Sequence, residues 1–115
     1  MLTRDAILQA EDTKIEPVDV PEWAGTVFVR TISGTERDHM EQQFQKAKAK
    51  GANVANIRAQ LAALSVCDES GKRLFTDADI PALGLKNAKA LDRIFDAAGK
   101  LSGLTKADVE ELEKN

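Results

Sequence analysis

The stretch from Leu61 to Ile80, LAALSVCDESGKRLFTDADI, constrains the fold more than any other part of the chain. It opens with an apolar run, Leu61–Cys67, which is too short to cross a membrane and is therefore expected inside the domain. A turn rich in Asp, Ser and Gly follows at 68–71 and brings Leu74 and Phe75 back toward the run. The pattern predicts a buried element followed by a chain reversal.

Periodicity leaves the secondary structure of that buried element open. In one interpretation a helix starts at Asn53 and continues to about Val66, with apolar residues in register (Val54, Ile57, Leu61 and Leu64). In the other, residues 63–67 form a strand that pairs with 73–75, which makes a second short hairpin. Both interpretations bury the same residues.

Two segments near the N-terminus predict an antiparallel hairpin. Residues 14–20 form a strand pattern interrupted by Pro17, which favours an edge strand because proline has no N–H to donate. Residues 26–32, TVFVRTI, are β-branched or aromatic for most of their length and form the strongest strand pattern in the chain. The turn at 21–25, PEWAG, joins the two segments.

A short helix is predicted before this hairpin. Thr3 is suited to cap a helix from Arg4 to Ala10. We expect Ile7 and Leu8 to face the core from this helix.

Pairs of capping residues mark two further helix starts. Ser33 and Glu36 form a capping box that opens a helix to about Lys50, with one apolar face (Met40, Phe44 and Ala47). Thr76 and Asp79 form a weaker box, with Asp in the usual place of Glu, ahead of one or two helical turns that Gly84 ends.

The strongest helical pattern covers Lys86 to Leu101. Its apolar residues recur at helical spacing (Ala88, Leu91, Ile94, Phe95, Ala98 and Leu101). After a break at 102–103, Thr105 opens a short acidic helix to Asn115 that offers only Val109 and Leu112 to the core. We expect it to fray or to await a partner.

These elements predict an α+β fold, an N-terminal antiparallel β-hairpin packed on a bundle of about four helices. Residues 1–104 are expected to form one globular domain, and 105–115 a short C-terminal helix or frayed tail. A chain of 115 residues is long enough to bury one core without a metal or disulfide.

Charge and cysteine usage exclude several classes of protein. The net charge of −3 is spread along the chain, so there is no basic stripe for nucleic acid or an anionic membrane. A single cysteine allows no internal disulfide and fits a reducing cytoplasm. The N-terminus lacks the apolar core of a signal peptide, and no run reaches the length of a transmembrane helix.

The residues that usually carry chemistry are sparse. The one histidine, His39, lies on the outer side of a predicted helix, and Cys67 ends an apolar run as a buried small hydrophobe. Asp68 and Asp79 have the spacing of a calcium loop, but Lys72 and Arg73 stand where a ligand and a glycine are needed. We therefore expect no catalytic residue, cofactor or metal site.

The remaining candidates are contact surfaces. Trp23, in the turn between the strands, is either packed on the core or an anchor for a partner. Phe28 and Val18 mark the hairpin, where an edge strand offers unpaired backbone groups to another chain. Val109 and Leu112 mark the acidic last helix.

Four stretches give the chain a resemblance to a known family. They are PEWAG at 21–25, VFVRTISGTERD at 27–38, VCDESGKRLFTDAD at 66–79 and ALDRIF at 90–95. In these residues, in their order and their spacing, the chain resembles the tail assembly chaperones of long-tailed phages and of the prophages derived from them. The match spans nearly the whole chain.

The resemblance implies a non-enzymatic assembly factor of the host bacterial cytoplasm, absent from the mature virion. Such a protein binds the long helical tape measure protein, keeps it soluble and helps to recruit tail tube subunits. It also implies self-association, because many copies would cover one rod. In many relatives a ribosomal frameshift near the end of the gene adds a C-terminal domain to a minority of copies, and our hypothesis is that the tail after Thr105 is the place for such an extension. The alternative is another small phage structural or adaptor protein, such as a head–tail joining component.

Overall fold

A computed structural model describes residues 1–50 and 56–104 of the chain. In this part it contains five α-helices and one three-stranded antiparallel sheet, so the predicted α+β class is confirmed. The elements in chain order are α1 (Arg4–Gln9), β1 (Ile15–Val20), β2 (Gly25–Arg30), α2 (Gly34–Ala49), α3 (Ile57–Ser65), β3 (Val66–Cys67), α4 (Ile80–Gly84) and α5 (Ala88–Leu101). Short 3₁₀ turns precede β2 (Pro21–Trp23) and α4 (Asp77–Asp79).

The predicted N-terminal hairpin is present, with β1 at the edge of the sheet. The N–H of Thr31 donates to the carbonyl oxygen of Lys14, and backbone groups alternate in direction along the strand, so Pro17 points its nitrogen away from β2. The missing donor therefore falls on the open edge, where no ladder bond is lost. This is the position that the sequence predicts for a strand proline.

The segment 61–67 combines both structures that periodicity left open. Helix α3 ends at Ser65, and Val66–Cys67 continues as β3, which pairs with Val29 and Phe28 of β2. The second hairpin is reduced to a bridge between Cys67 and Arg73, next to a hydrogen bond from the N–H of Leu74 to the carbonyl of Val66 at 3.1 Å. A third strand joined to the first hairpin was not predicted.

Helix α3 lies at the centre of the fold, and seven of its nine residues are buried. One side packs with α4, α5 and the inner face of the sheet, and the other packs with α2. Alanines at 59, 62 and 63 let these elements approach closely, which explains how a core with few aromatic side chains is filled. The two parts of the core are the sheet side (Val20, Val29, Ala59, Ala62, Ala63, Val66, Leu83, Ala90, Leu91 and Ile94) and the α2 side (Ile32, Met40, Phe44, Ile57, Leu61, Leu64 and Ala98).

Capping interactions set the starts of the two long helices. The Ser33 hydroxyl accepts from the N–H of Glu36, and the Glu36 carboxylate accepts from the N–H of Ser33, as the capping box predicts. Helix α5 begins at Ala88 rather than Lys86, because Asn87 accepts two backbone N–H groups through Oδ1. Ala88, placed by its spacing on the inner face, is exposed as a result.

The prediction that Ile7 and Leu8 face the core is wrong. Helix α1 forms under a Thr3 cap, but 57% of Ile7 and 68% of Leu8 are exposed, and no residue from 1 to 17 is more than partly covered. The reason is that the Thr3 cap and the local backbone hydrogen bonds form α1 without burying any of its residues against the rest of the described chain. We call residues 1–14 the N-terminal arm.

The predicted helix start at Asn53, with Val54 in register, and everything predicted after Thr105 lie outside the described residues. Within the residues that are described, no helix is both long enough and apolar enough to cross a membrane.

Candidate partner-binding cleft

An apolar cleft of about 300 Å³ opens where the hairpin turn meets the start of α4. The side chains of Trp23 and Phe75 form its walls, with Ala82 and the buried Leu83 between them. Asp79 and Lys86 complete the lining. Both aromatic side chains are half-buried and pack on the sheet side of the core, so each is held in place while part of its surface remains open.

The hairpin turn fixes Trp23. Pro21 starts a single 3₁₀ turn, and Ala24 reverses the chain in the left-handed region at φ +53°, with its N–H donating to the carbonyl of Pro21 at 3.0 Å. The neighbouring Glu22 accepts two hydrogen bonds from the guanidinium of Arg93 on α5, at 2.9 and 3.1 Å. This paired contact ties the turn to α5 and so sets the position of the tryptophan.

The opposite wall depends on the second capping box. The N–H of Thr76 donates to Asp79 Oδ2 at 2.9 Å, which starts the 3₁₀ turn leading into α4. Proline at position 81 lies in the first turn of α4, where its missing N–H costs nothing. Phe75 comes directly before this cap, so the cap also orients the second aromatic wall.

Charged side chains of both signs lie at or near the cleft. The hydrogen bonds from Arg93 lower the pKa of Glu22, and Lys89 lowers it further, so this carboxylate is ionised and already paired. Lys86 and Lys89 form no ion pair with any residue in the described ranges. Of these two lysines, Lys86 lines the cleft together with Asp79, and Lys89 lies near Glu22.

The residues predicted to contact a partner lie in different places. Trp23 lines the cleft, and Val18 lies nearby on the inner face of the sheet, where it packs on the core. Phe28 points to the other face, paired in register with Pro17 and Cys67. Val109 and Leu112 fall outside the described residues.

Of the residues that line the cleft, sequence reasoning named only Trp23 as a contact residue; it missed Phe75, Asp79, Ala82, Leu83 and Lys86. Phe75 meets Trp23 across 52 positions of sequence, and no local pattern signals such a contact. The apolar return of the chain at 74–75 was recognised, but Leu74 is the exposed member of that pair and Phe75 the half-buried one.

The polar residues considered for chemistry have structural partners. His39 Nε2 lies 2.7 Å from Asp77 Oδ2, and Arg73 also reaches Asp77, which joins α2 to the segment before α4. Cys67 is buried, which raises the pKa of its thiol, and its Sγ faces the carbonyl oxygen of Phe28. No group of three or more metal-binding side chains occurs in the described ranges.

The calcium-loop spacing has a simpler explanation. Asp68 Oδ1 accepts hydrogen bonds from the N–H and the hydroxyl of Ser70, and from the N–H of Lys72. These bonds lower the pKa of Asp68 and stabilise the turn at 68–71. Its carboxylate therefore closes a turn.

Together these features define a small α+β protein with an apolar cleft between its hairpin turn and the start of α4. The chain belongs to the phage tail assembly chaperone family, whose model matches residues 3–115. Family membership places its action in the host cell, during assembly of a phage tail. Comparison with curated proteins and with solved structures gave no match.

Proposed function

We propose that this protein binds the tape measure protein of a phage tail, keeps it soluble in the host cytoplasm and helps to recruit tail tube subunits. It leaves before the virion is complete. The cleft between Trp23 and Phe75 carries this proposal, because it is an apolar surface kept open between two fixed aromatic side chains. Membership of the chaperone family supplies the context.

The chemistry of such a partner fits the cleft. A long helical protein presents apolar side chains at i, i+3, i+4 and i+7, and these self-associate unless they are covered. An amphipathic helix binds by placing a few such side chains in a groove. The volume of about 300 Å³ is at the lower end for ligand pockets, so one cleft holds only a few side chains.

Weak individual contacts suit this role. Many copies along one rod bind together far more strongly than one copy alone. The net charge of −3 on each copy keeps the covered rod in solution. Release also remains feasible, since each cleft covers only a small part of the partner.

A pull-down with the tape measure protein tests this assignment. Ala82 is exposed and lines the cleft, so Ala82→Asp places a charge there without removing a core side chain. We expect this variant and Trp23→Ala to lose most of the binding. Ala88→Asp is the matched control, because Ala88 is exposed, lies outside the cleft and occupies a helix start where Asp is tolerated.

Phe28→Asp decides whether the other face of the sheet takes part. Loss of binding in Phe28→Asp alone, with Trp23→Ala and Ala82→Asp unchanged, would move the contact to that face. Unchanged binding in all three folded variants would show that neither the hairpin nor the cleft contacts the tape measure protein. Finding the protein as a permanent component of mature particles would favour the head–tail joining alternative.

A further inference from the structure

Phe75, one of the two aromatic walls of the cleft, lies outside the regular secondary structure. It stands halfway between Arg73, which makes the bridge to β3, and Asp77, which begins the 3₁₀ turn before α4. The backbone beside it is held by two hydrogen bonds, donated by the N–H groups of Leu74 and Thr76. The position of this wall therefore depends on how the residues around it are anchored.

Arg73 anchors this segment in two directions. Its Nε–H donates to the carbonyl oxygen of Ala63 at 2.9 Å, and a terminal N–H donates to Asp77 Oδ1 at 3.4 Å. Ala63 is fully buried near the end of α3. One side chain thus joins the central helix to a residue four positions further along the chain, and Phe75 lies between the two ends of this connection.

The contact with Ala63 also satisfies the end of the helix. The last carbonyl groups of a helix have no intrahelical donor, and a buried one that stays unpaired destabilises the fold. In α3 the carbonyl groups of Ala63 and Leu64 accept from Arg73 and Arg30, respectively. Arg30 also pairs with Glu36 at the start of α2, whereas Arg73 extends toward the cleft segment. Two equivalent contacts at one helix end therefore serve different parts of the molecule.

Asp77, at the outer end of the Arg73 contact, is fixed as well. His39 Nε2 lies 2.7 Å from Asp77 Oδ2, so the same carboxylate is held against α2. Hydrogen bonds from His39 and Arg73 lower the pKa of Asp77, which is therefore ionised and attracts the guanidinium. Both ends of the segment that carries Phe75 are thus connected to helices.

We propose that Arg73 is a positioning residue of the cleft, which holds Phe75 opposite Trp23 in the geometry that receives apolar side chains of the tape measure protein. Arg73 does not line the cleft, so its effect passes through Phe75. The part of this proposal that concerns the tape measure protein rests on the proposed function. The part that concerns the two aromatic walls is independent of it.

Arginine suits this position better than lysine does. Its planar guanidinium donates from Nε and from the terminal nitrogens in fixed directions, so two acceptors are held at a set spacing. The ammonium group of a lysine, on a flexible stem, reaches either acceptor without fixing the distance between them. Arg73→Lys should therefore keep the charge and lose part of the positioning.

The fluorescence of Trp23 tests the positioning without any partner. Trp23 is the only tryptophan, so the emission reports on the cleft alone. In Arg73→Gln, displacement of Phe75 should expose the indole, shift its emission to longer wavelength and increase its quenching by acrylamide. Arg73→Lys and Asp77→Ala should shift the emission in the same direction by less, and these milder variants decide the question if Arg73→Gln does not fold.

Glu36→Gln is the control for a general loss of stability. It disturbs the neighbouring Arg30 contact at the same end of α3, on the side that faces α2, so the emission of Trp23 should stay as in the wild type. An equal shift in Glu36→Gln and Arg73→Gln would show that loosening of the whole fold exposes the tryptophan, and would overturn the proposal. Unchanged emission in the folded Arg73 and Asp77 variants would overturn it too.

A binding titration with the tape measure protein tests the consequence for function. Arg73→Gln should bind about fivefold more weakly than the wild type, because the loss is indirect and partial, and Glu36→Gln should bind like the wild type. If Trp23→Ala and Ala82→Asp lose binding while Arg73→Gln keeps it, the cleft is the binding site and the positioning role is wrong. If all three variants keep binding while Arg73→Gln shifts the emission, Arg73 positions the wall and the proposed binding site is wrong.

Discussion

At the scale of single residues, Arg30 joins three parts of the fold. Its guanidinium donates to the carboxylate of Glu36 at the start of α2 and to the carbonyl oxygen of Leu64 in α3, the latter at 2.8 Å. The Arg30 and Glu36 side chains are only 13% and 21% exposed. Since Glu36 also caps α2 through Ser33, the Arg30–Glu36 pair connects the sheet, the start of α2 and the central helix.

Glu36→Gln should destabilise the protein by roughly 1–3 kcal/mol, because it leaves a mostly buried guanidinium without its charged partner. Glu41→Gln is the matched control. Glu41 pairs with Arg37 on the exposed side of the same helix, and the loss there should stay below about 0.5 kcal/mol. Urea unfolding measures both changes. Equal effects of the two substitutions would show that the Arg30 contact adds no more to stability than an exposed ion pair does.

At the scale of elements, the caps of α1 and α5 have the same chemistry but different consequences. Asn87 accepts from the N–H groups of Lys89 and Ala90, at the head of a helix with five buried residues. Thr3 accepts from the N–H of Ala6, in a helix with no buried residue. Weakening a helix lowers the free energy of global unfolding only if that helix buries surface against the rest of the molecule.

Asn87→Ala should therefore lower the free energy of unfolding by about 1 kcal/mol, the usual cost of losing an N-cap. Thr3→Ala should melt α1 locally and leave global unfolding of the monomer unchanged. Chemical denaturation at low protein concentration distinguishes the two. A large global effect of Thr3→Ala would contradict the exposed position of the arm.

Local signals predicted the elements well. The Ser33–Glu36 box, the edge position of Pro17 and the burial of Cys67 follow from one residue type and its near neighbours. The burial of Ile7 and Leu8 was predicted wrongly, since an apolar pair on a short helix looks the same whether its partner is the core or another chain. The third strand escaped prediction because its two residues extend a helical pattern, and only pairing with Phe28 and Val29 makes them a strand.

The cleft could be predicted only in part. Trp23 was predicted as a candidate contact residue because it is a lone tryptophan in a turn. Its position opposite Phe75, however, depends on how α4 and the hairpin pack together. The ion pair that fixes it, Glu22 with Arg93, joins residues 71 positions apart. Long-range contacts of this kind carry no periodic pattern in the sequence.

At the scale of the whole molecule, ionised carboxylates contribute to stability. Burial alone would raise the pKa of Glu36, but the hydrogen bonds from Arg30 and Ser33 outweigh it and lower that pKa. Hydrogen bonds from His39 and Arg73 lower the pKa of Asp77, and those already described lower the pKa of Glu22 and Asp68. A carboxyl group whose pKa is lower in the folded state stabilises the fold above its unfolded pKa, and this stability is lost as the pH falls through the folded pKa.

Stability toward urea should therefore change little between pH 7 and about pH 5, and should fall below about pH 4, where these groups take up protons. The fall should be shallower in Glu36→Gln, which removes one of the four groups. Urea midpoints measured across this range test the expectation. A midpoint that rises on acidification would contradict the assignment of these carboxylates as ionised partners in the fold.

The whole account depends on a surface that shields an apolar partner, and co-expression tests it most directly. The tape measure protein should be largely soluble when expressed with the wild type or with Ala88→Asp, and should aggregate when expressed alone or with Ala82→Asp. Equal solubility with Ala82→Asp and with the wild type, at equal amounts of folded chaperone, would contradict a shielding role for the cleft.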